Sequence, residues 1–112
     1  MTKNNDDHVK NISFLMNRKG EWSLSPAYDL TLSYKPDNRW LRAHQMSINS
    51  KRTDITEDDL FACAAVMDIT RSKCKTMIER VKNTVSEFPK FAEQAQLPDM
   101  IVKNVQQLIK QK

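Results

Sequence analysis

A chain of 112 residues with net charge +4, 39% hydrophobic and 29% charged residues has room for one modest core and not for two. Its single glycine excludes a glycine-rich phosphate loop within these residues and a barrel built on tight turns. It carries no apolar run of about 18 residues and no charged–apolar–small leader, so a cytoplasmic protein with no membrane contact is expected.

The first three residues read as a tail, and Asn4 to Asn11 is polar but for Val9, a loop by composition. Ile12, Phe14 and Met16 alternate with Ser13, Leu15 and Asn17, which is strand periodicity. Asn17-Arg18-Lys19-Gly20 then makes a turn with Gly20 at positive φ, and Trp22 and Leu24 alternate with Ser23 and Ser25 on a second strand. Pro26 ends this hairpin, and Tyr28-Asp29-Leu30 stands just beyond it. From Thr31 to Arg42 the pattern is weak, with a turn at Pro36-Asp37-Asn38, and Gln45 to Ile48 is read as one more short strand.

After Thr53 the character becomes helical. Thr56-Glu57-Asp58-Asp59 is a capping-box start for a helix with Leu60, Phe61, Ala64, Ala65 and Met67 on one face. Asp68 or Thr70 caps the next helix, on which Cys74, Met77, Ile78, Val81 and Val85 recur at helical spacing. A shorter helix over 87–95 buries Phe88, Phe91 and Ala92. Pro98 opens the last one, with Ile101, Val102, Val105, Leu108 and Ile109 inward. The expected fold is mainly α: a polar loop and β-hairpin over 1–50, then a helical C-terminal bundle over 51–112. Cys63 and Cys74 have no ligand spacing and read as small core residues. The basic residues, among them Lys10, Arg18, Arg39, Arg52 and Lys75, are dispersed as on a solvated surface, which argues against a dedicated nucleic-acid patch.

The chemistry concentrates in the first loop. Asp6 and Asn11 stand in the relation D-x-x-x-x-N, the spacing of a kinase catalytic loop, in which the Asp accepts a hydroxyl proton and the Asn holds Mg²⁺. Mg²⁺ takes hard oxygen ligands, one or two of them protein carboxylates, so a second carboxylate is expected; Asp29 is the candidate, delivered by the hairpin. Asp and Asn crowd into any polar loop. The pattern gains weight from its order: loop, hairpin, then Tyr-Asp beyond a proline.

Asn5-Asp6-Asp7-His8-Val9-Lys10-Asn11, then Ser13-Phe14, then Leu24-Ser25-Pro26-Ala27-Tyr28-Asp29, resembles the catalytic and metal-binding segments of the HipA family, the kinase toxins of bacterial toxin–antitoxin systems. The specific likeness covers residues 4–30; the helical remainder is similar in kind, as the C-lobe part of a HipA-like kinase fold. The resemblance implies ATP- and Mg²⁺-dependent phosphorylation of a protein serine or threonine. Asp6 would be the proton acceptor, and Asn11 and Asp29 the metal ligands. His8, Val9, Lys10 and Tyr28 would line the nucleotide site. His8 read without the motif is a satisfied loop histidine, and Lys10 either neutralises phosphate or is simply exposed. Asp7 receives no role; Trp22 and Tyr34 are read as hairpin packing.

The implied partners are a translation factor such as an aminoacyl-tRNA synthetase as substrate and a helix-turn-helix antitoxin, with DNA reached only through that antitoxin. Only five residues precede Asp6, whereas such a kinase carries its phosphate-gripping lysine and covering loop before the catalytic loop. A C-terminal fragment is therefore expected, inactive without the missing lobe, with apolar surface exposed on the hairpin side and a tendency to self-associate. The alternatives are a non-catalytic module that binds the antitoxin or a separate N-lobe, and a small basic nucleic-acid binder.

Overall fold

The computed structural model describes residues 2–110. A single 3₁₀ turn, Val9–Asn11, precedes a two-stranded antiparallel hairpin of β1 (Phe14–Met16) and β2 (Trp22–Leu24). After a long irregular stretch come four helices: α1 (Glu57–Val66), α2 (Arg71–Ser86), α3 (Phe88–Gln94) and α4 (Asp99–Lys110). The helices contact one another in chain order, α1 on α2, α2 on α3 and α3 on α4.

The hairpin turn is built as its residues dictate. The Asn17 side-chain oxygen accepts from the backbone N–H of Lys19 at 2.8 Å and of Glu21 at 3.1 Å, and Gly20 adopts φ +81°. Register pairs Phe14 with Leu24 and Met16 with Trp22, so four large apolar side chains share one face of the ribbon. That face is not covered: all four are more than half exposed, Trp22 at 67%. The expected apolar exposure on the hairpin is present, while the expectation that Trp22 packs is corrected, since no second layer lies over it within the described residues. Tyr34 instead stacks under the Lys3 ammonium, 4.8 Å from its ring centre.

Two further expectations need revision. Residue 3 is not a loose tail, because its carbonyl accepts from Ser33 N–H at 3.0 Å while Asn5 N–H donates to Ser33 O at 3.0 Å, a parallel bridge. The stretch 45–48 forms no strand. Asn49 and Ser50 both take left-handed φ, 50° and 63°, and reverse the chain so that Ile48 pairs with Lys51 instead of with a neighbouring strand. The turn at Pro36-Asp37-Asn38 is found, closed by Asn38 N–H to Lys35 O at 3.1 Å.

The helix starts follow the capping residues. The Asp59 carboxylate reaches back to Thr56, accepting from its N–H at 2.8 Å and from its hydroxyl at 2.9 Å. Thr70, not Asp68, caps α2 by accepting from Lys73 N–H at 3.3 Å; Asp68 sits at φ +54° in the link between helices. The core is small. Ala64, Cys74 and Ile78 are buried with Leu60, Phe61 and Ile69 against them, and Ala92 is buried apart from these. Ala65, Met67, Met77, Val81 and Phe91, expected inward, are exposed, because each helix meets its neighbours along a narrow line and not across a broad face. Cys63 is only half-buried.

The molecule is accordingly open. Its accessible surface is 9246 Å², against about 6,400 Å² given by the size scaling for a 13.1 kDa monomer. Its radius of gyration is 16.1 Å, against about 13 Å for a compact chain of this length. Asp59, 2% exposed, ties the irregular stretch to α1. Lys51 Nζ lies 2.8 Å from its Oδ1 and Asn49 Nδ2 donates to it at 2.8 Å. The hydrogen bond from Lys51, then that from the Thr56 backbone and that from Asn49, hold the Asp59 carboxyl well below the usual carboxylate range.

Two outcomes follow. Ile78→Ala opens a cavity in the centre of the small core and costs about 2–4 kcal/mol, read from the urea midpoint of the folded chain. For Asp59 the folded carboxyl binds protons more weakly than the unfolded one, so its contribution is complete above about pH 4 and drains away as pH falls below that. Thermal unfolding scans from pH 7 to pH 2 should show a shallower acid limb in Asp59→Asn than in the parent, the two curves converging at the acid end.

Candidate functional site

The site is assembled where the first loop meets the chain leaving the hairpin. The 3₁₀ turn Val9–Asn11 is closed by Asn11 N–H to His8 O at 2.9 Å and ended by Ile12 N–H to Val9 O at 3.2 Å. The hairpin then returns the chain, its ladder extended by Ser25 N–H to Ser13 O and by the Ser13 hydroxyl donating to the Ser25 hydroxyl, both 2.9 Å. That return brings Tyr28 and Asp29 back to the loop. The Tyr28 hydroxyl donates to Lys10 O at 2.8 Å. Asp29 takes a left-handed φ of +54°, a conformation Asp tolerates better than most residues, which turns its carboxylate toward Asn11.

The centre is the Asn11 carboxamide. Its Nδ2 donates to Asp29 Oδ2 at 2.8 Å, across eighteen residues, and to the Asp6 backbone carbonyl at 3.2 Å. Both amide hydrogens being engaged, the carboxamide oxygen is the atom left to serve as a ligand. Asp6 places its own carboxylate elsewhere, with Oδ1 2.9 Å from His8 Nε2. Asp6 and His8 are both half-buried, and Asp29 is exposed.

Asp6, His8, Asn11, Tyr28 and Asp29 thus lie in one connected set. Lys10 joins it through its backbone carbonyl, while its side chain is exposed, and Val9, 72% exposed, contacts none of these groups by hydrogen bond or ion pair. Among the described residues no group of three His, Cys, Asp or Glu side chains is placed to hold a metal ion. The pair that fits one is a carboxamide and a carboxylate, Asn11 and Asp29, both hard oxygen donors. Mg²⁺ suits such a pair, since it keeps several waters and takes few protein ligands. Asp29 is exposed, so its carboxylate is open to water.

Reasoning from residue types missed two members of the neighbourhood. Asn5, 5% exposed, donates from Nδ2 to Leu41 O at 2.9 Å and fastens the start of the loop to the 35–42 turn. Asp7 accepts from Gln45 N–H at 2.6 Å, and its Oδ2 lies 2.9 Å from His44 Nδ1. Their partners lie 36 to 38 residues away, and no local spacing signals a contact that distant.

Comparison with known proteins gives one family. The model of the HipA-like C-terminal domain matches residues 1–88, which takes in the loop, the hairpin, α1 and α2. No curated protein and no solved structure matches the chain.

Tyr28→Phe removes the phenolic bond that ties the returning chain to the loop. The expected result is a loss of about 0.5–1.5 kcal/mol of local stability, seen as faster hydrogen exchange at the amides of Asn11 and Ile12 with exchange in α2 unchanged.

Proposed function

From the membership of this chain in the family of HipA-like C-terminal domains, we propose that it takes part in phosphoryl transfer from ATP to a protein serine or threonine. The observation that carries the reading is the meeting of the Asn11 carboxamide and the Asp29 carboxylate at 2.8 Å, directly beside the loop that bears Asp6. Asn11 Oδ1 and an Asp29 oxygen would hold Mg²⁺. When bound, Mg²⁺ neutralises charge on the β- and γ-phosphate oxygens of ATP.

Asp6 is the base. His8 engages its Oδ1, which leaves Oδ2 to accept the proton of an incoming hydroxyl. As that proton moves to Asp6, the hydroxyl oxygen bonds to the γ-phosphorus. The bond from that phosphorus to the β,γ-bridging oxygen breaks, and ADP leaves with the electron pair. His8 holds Asp6 in one orientation, and the Tyr28–Lys10 bond holds the turn against the chain that carries Asp29. Phosphoryl transfer of this class also employs a lysine and a covering loop over the phosphates. The 112 residues supply the base and the metal ligands, and a phosphate-gripping lobe completes the site. A translation factor is the substrate class that fits the family, and a helix-turn-helix antitoxin its controlling partner.

A second reading has an observation of its own. The uncovered hairpin face of Phe14, Met16, Trp22 and Leu24 suits a module that docks on the antitoxin or on the phosphate-gripping lobe without catalysing anything itself.

Complementation separates the two. The chain is mixed with a phosphate-gripping half of a HipA-type kinase, Mg²⁺, labelled ATP and a protein acceptor. Transfer is expected in the mixture and absent with the chain alone, and Asp6→Asn should reduce it about 10²-fold or more. Transfer that ignores Asp6→Asn would remove the base assignment, and a complex that forms without transfer would favour the docking module.

A further inference from the structure

We infer that Asp7 is a positioning residue of the candidate site, acting through the Asp6 carbonyl on the Asn11 carboxamide; this rests on the reading of Asn11 and Asp29 as metal ligands. Asp7 lies between Asp6 and His8, yet its side chain serves neither. Its Oδ1 accepts from the backbone N–H of Gln45 at 2.6 Å and of Met46 at 3.3 Å, and its Oδ2 lies 2.9 Å from His44 Nδ1. Its side chain is 17% exposed and that of His44 28%, so these bonds are shielded from competing water. The other end of the clamp is itself fixed: His44 N–H donates to Arg52 O at 3.0 Å, and Arg52 Nε donates to His44 O at 2.5 Å.

Peptide planarity carries the effect to the ligands. The Asp6 carbonyl belongs to the peptide unit that joins Asp6 to Asp7, and that unit is planar. Holding Asp7 from three donors therefore restricts the direction of the Asp6 carbonyl. That carbonyl accepts from Asn11 Nδ2 at 3.2 Å and so helps decide which end of the carboxamide faces the ligand space. The two adjacent carboxylates divide the work: Asp6 faces His8 and the substrate side, and Asp7 faces the 44–46 segment and carries the rigidity. Groups that orient a metal ligand from behind typically change metal affinity about 10–100-fold when removed.

The test uses the 112-residue chain with Mn²⁺, a paramagnetic stand-in for Mg²⁺, titrated in the presence of ATP and followed by electron paramagnetic resonance. The Asn11 side-chain NH₂ resonances are recorded alongside by NMR. Asp7→Ala should weaken Mn²⁺ binding about tenfold and shift or broaden the Asn11 NH₂ pair before any metal is added. Asp7→Asn keeps an oxygen for the Gln45 and Met46 amides and should recover part of the affinity; a merely destabilising role predicts no such movement of the Asn11 signals. If Asp7→Ala fails to fold, His44→Ala replaces it, with a loss of a few fold expected and no loss counting against the inference. Binding abolished by Asp29→Asn but unchanged by Asp7→Ala, with the Asn11 resonances unmoved, overturns the role of Asp7 alone. A parent chain that binds Mn²⁺ no better than Asp29→Asn overturns the metal reading and this inference with it.

Discussion

The hydrogen bonding of one carboxamide organises the candidate site. Asn11 spends both amide hydrogens on oxygens from two different parts of the chain, the Asp29 carboxylate and the Asp6 carbonyl. That choice gives the first loop and the post-hairpin segment a common point and leaves an oxygen as the free end of the amide. Three features nearby maintain this crossing: the short hairpin returns the chain, Tyr28 ties it to Lys10 O, and the left-handed backbone at Asp29 aims the carboxylate. Without the hairpin, two segments eighteen residues apart would have to close a flexible loop to meet, at an entropic cost that one exposed hydrogen bond does not offset.

The rest of the molecule is sparse by comparison. Among the described residues the one tight hydrophobic grouping lies between α1 and α2, far along the chain from the loop, and polar clamps order much of the chain elsewhere. Asp59 gathers Lys51, Asn49 and Thr56, and Asp7 gathers residues 44–46. A carboxylate that accepts several N–H donors can order an irregular stretch that has no apolar face of its own. The remaining apolar surface faces outward on the hairpin and on the helices. The total accessible surface, 9246 Å², exceeds what the size scaling gives for a compact monomer of this mass, and large apolar side chains such as Phe14, Trp22 and Leu24 are part of it.

Much of this was readable before any coordinates. The hairpin followed from alternation around Asn17 and Gly20, α1 from the Thr56–Asp59 start, and α4 from Pro98, because each rests on short-range chemistry. The Asp6, Asn11 and Asp29 set stands out through its order along the chain and its likeness to a known motif, and the structure joins Asn11 to Asp29 and to the Asp6 carbonyl. What escaped was set by long-range or shared contacts. Trp22 alternates correctly for a packed strand, but packing needs a second layer, which alternation does not report. The strand expected at 45–48 failed because Asn49-Ser50 reverses the chain at once. Asp7 looked dispensable in its own loop, and its three donors come from segments 37 to 39 residues later.

The central claim is that Asn11 and Asp29 share one divalent cation within reach of Asp6. A crystal structure of the chain with Mg²⁺ and a non-hydrolysable ATP analogue tests it most directly. The account predicts one ion with an Asn11 Oδ1 and an Asp29 carboxylate oxygen each at about 2.1 Å, and phosphate oxygens completing its shell. An ion held by other residues, with the Asn11–Asp29 hydrogen bond still closed beside it, would contradict it.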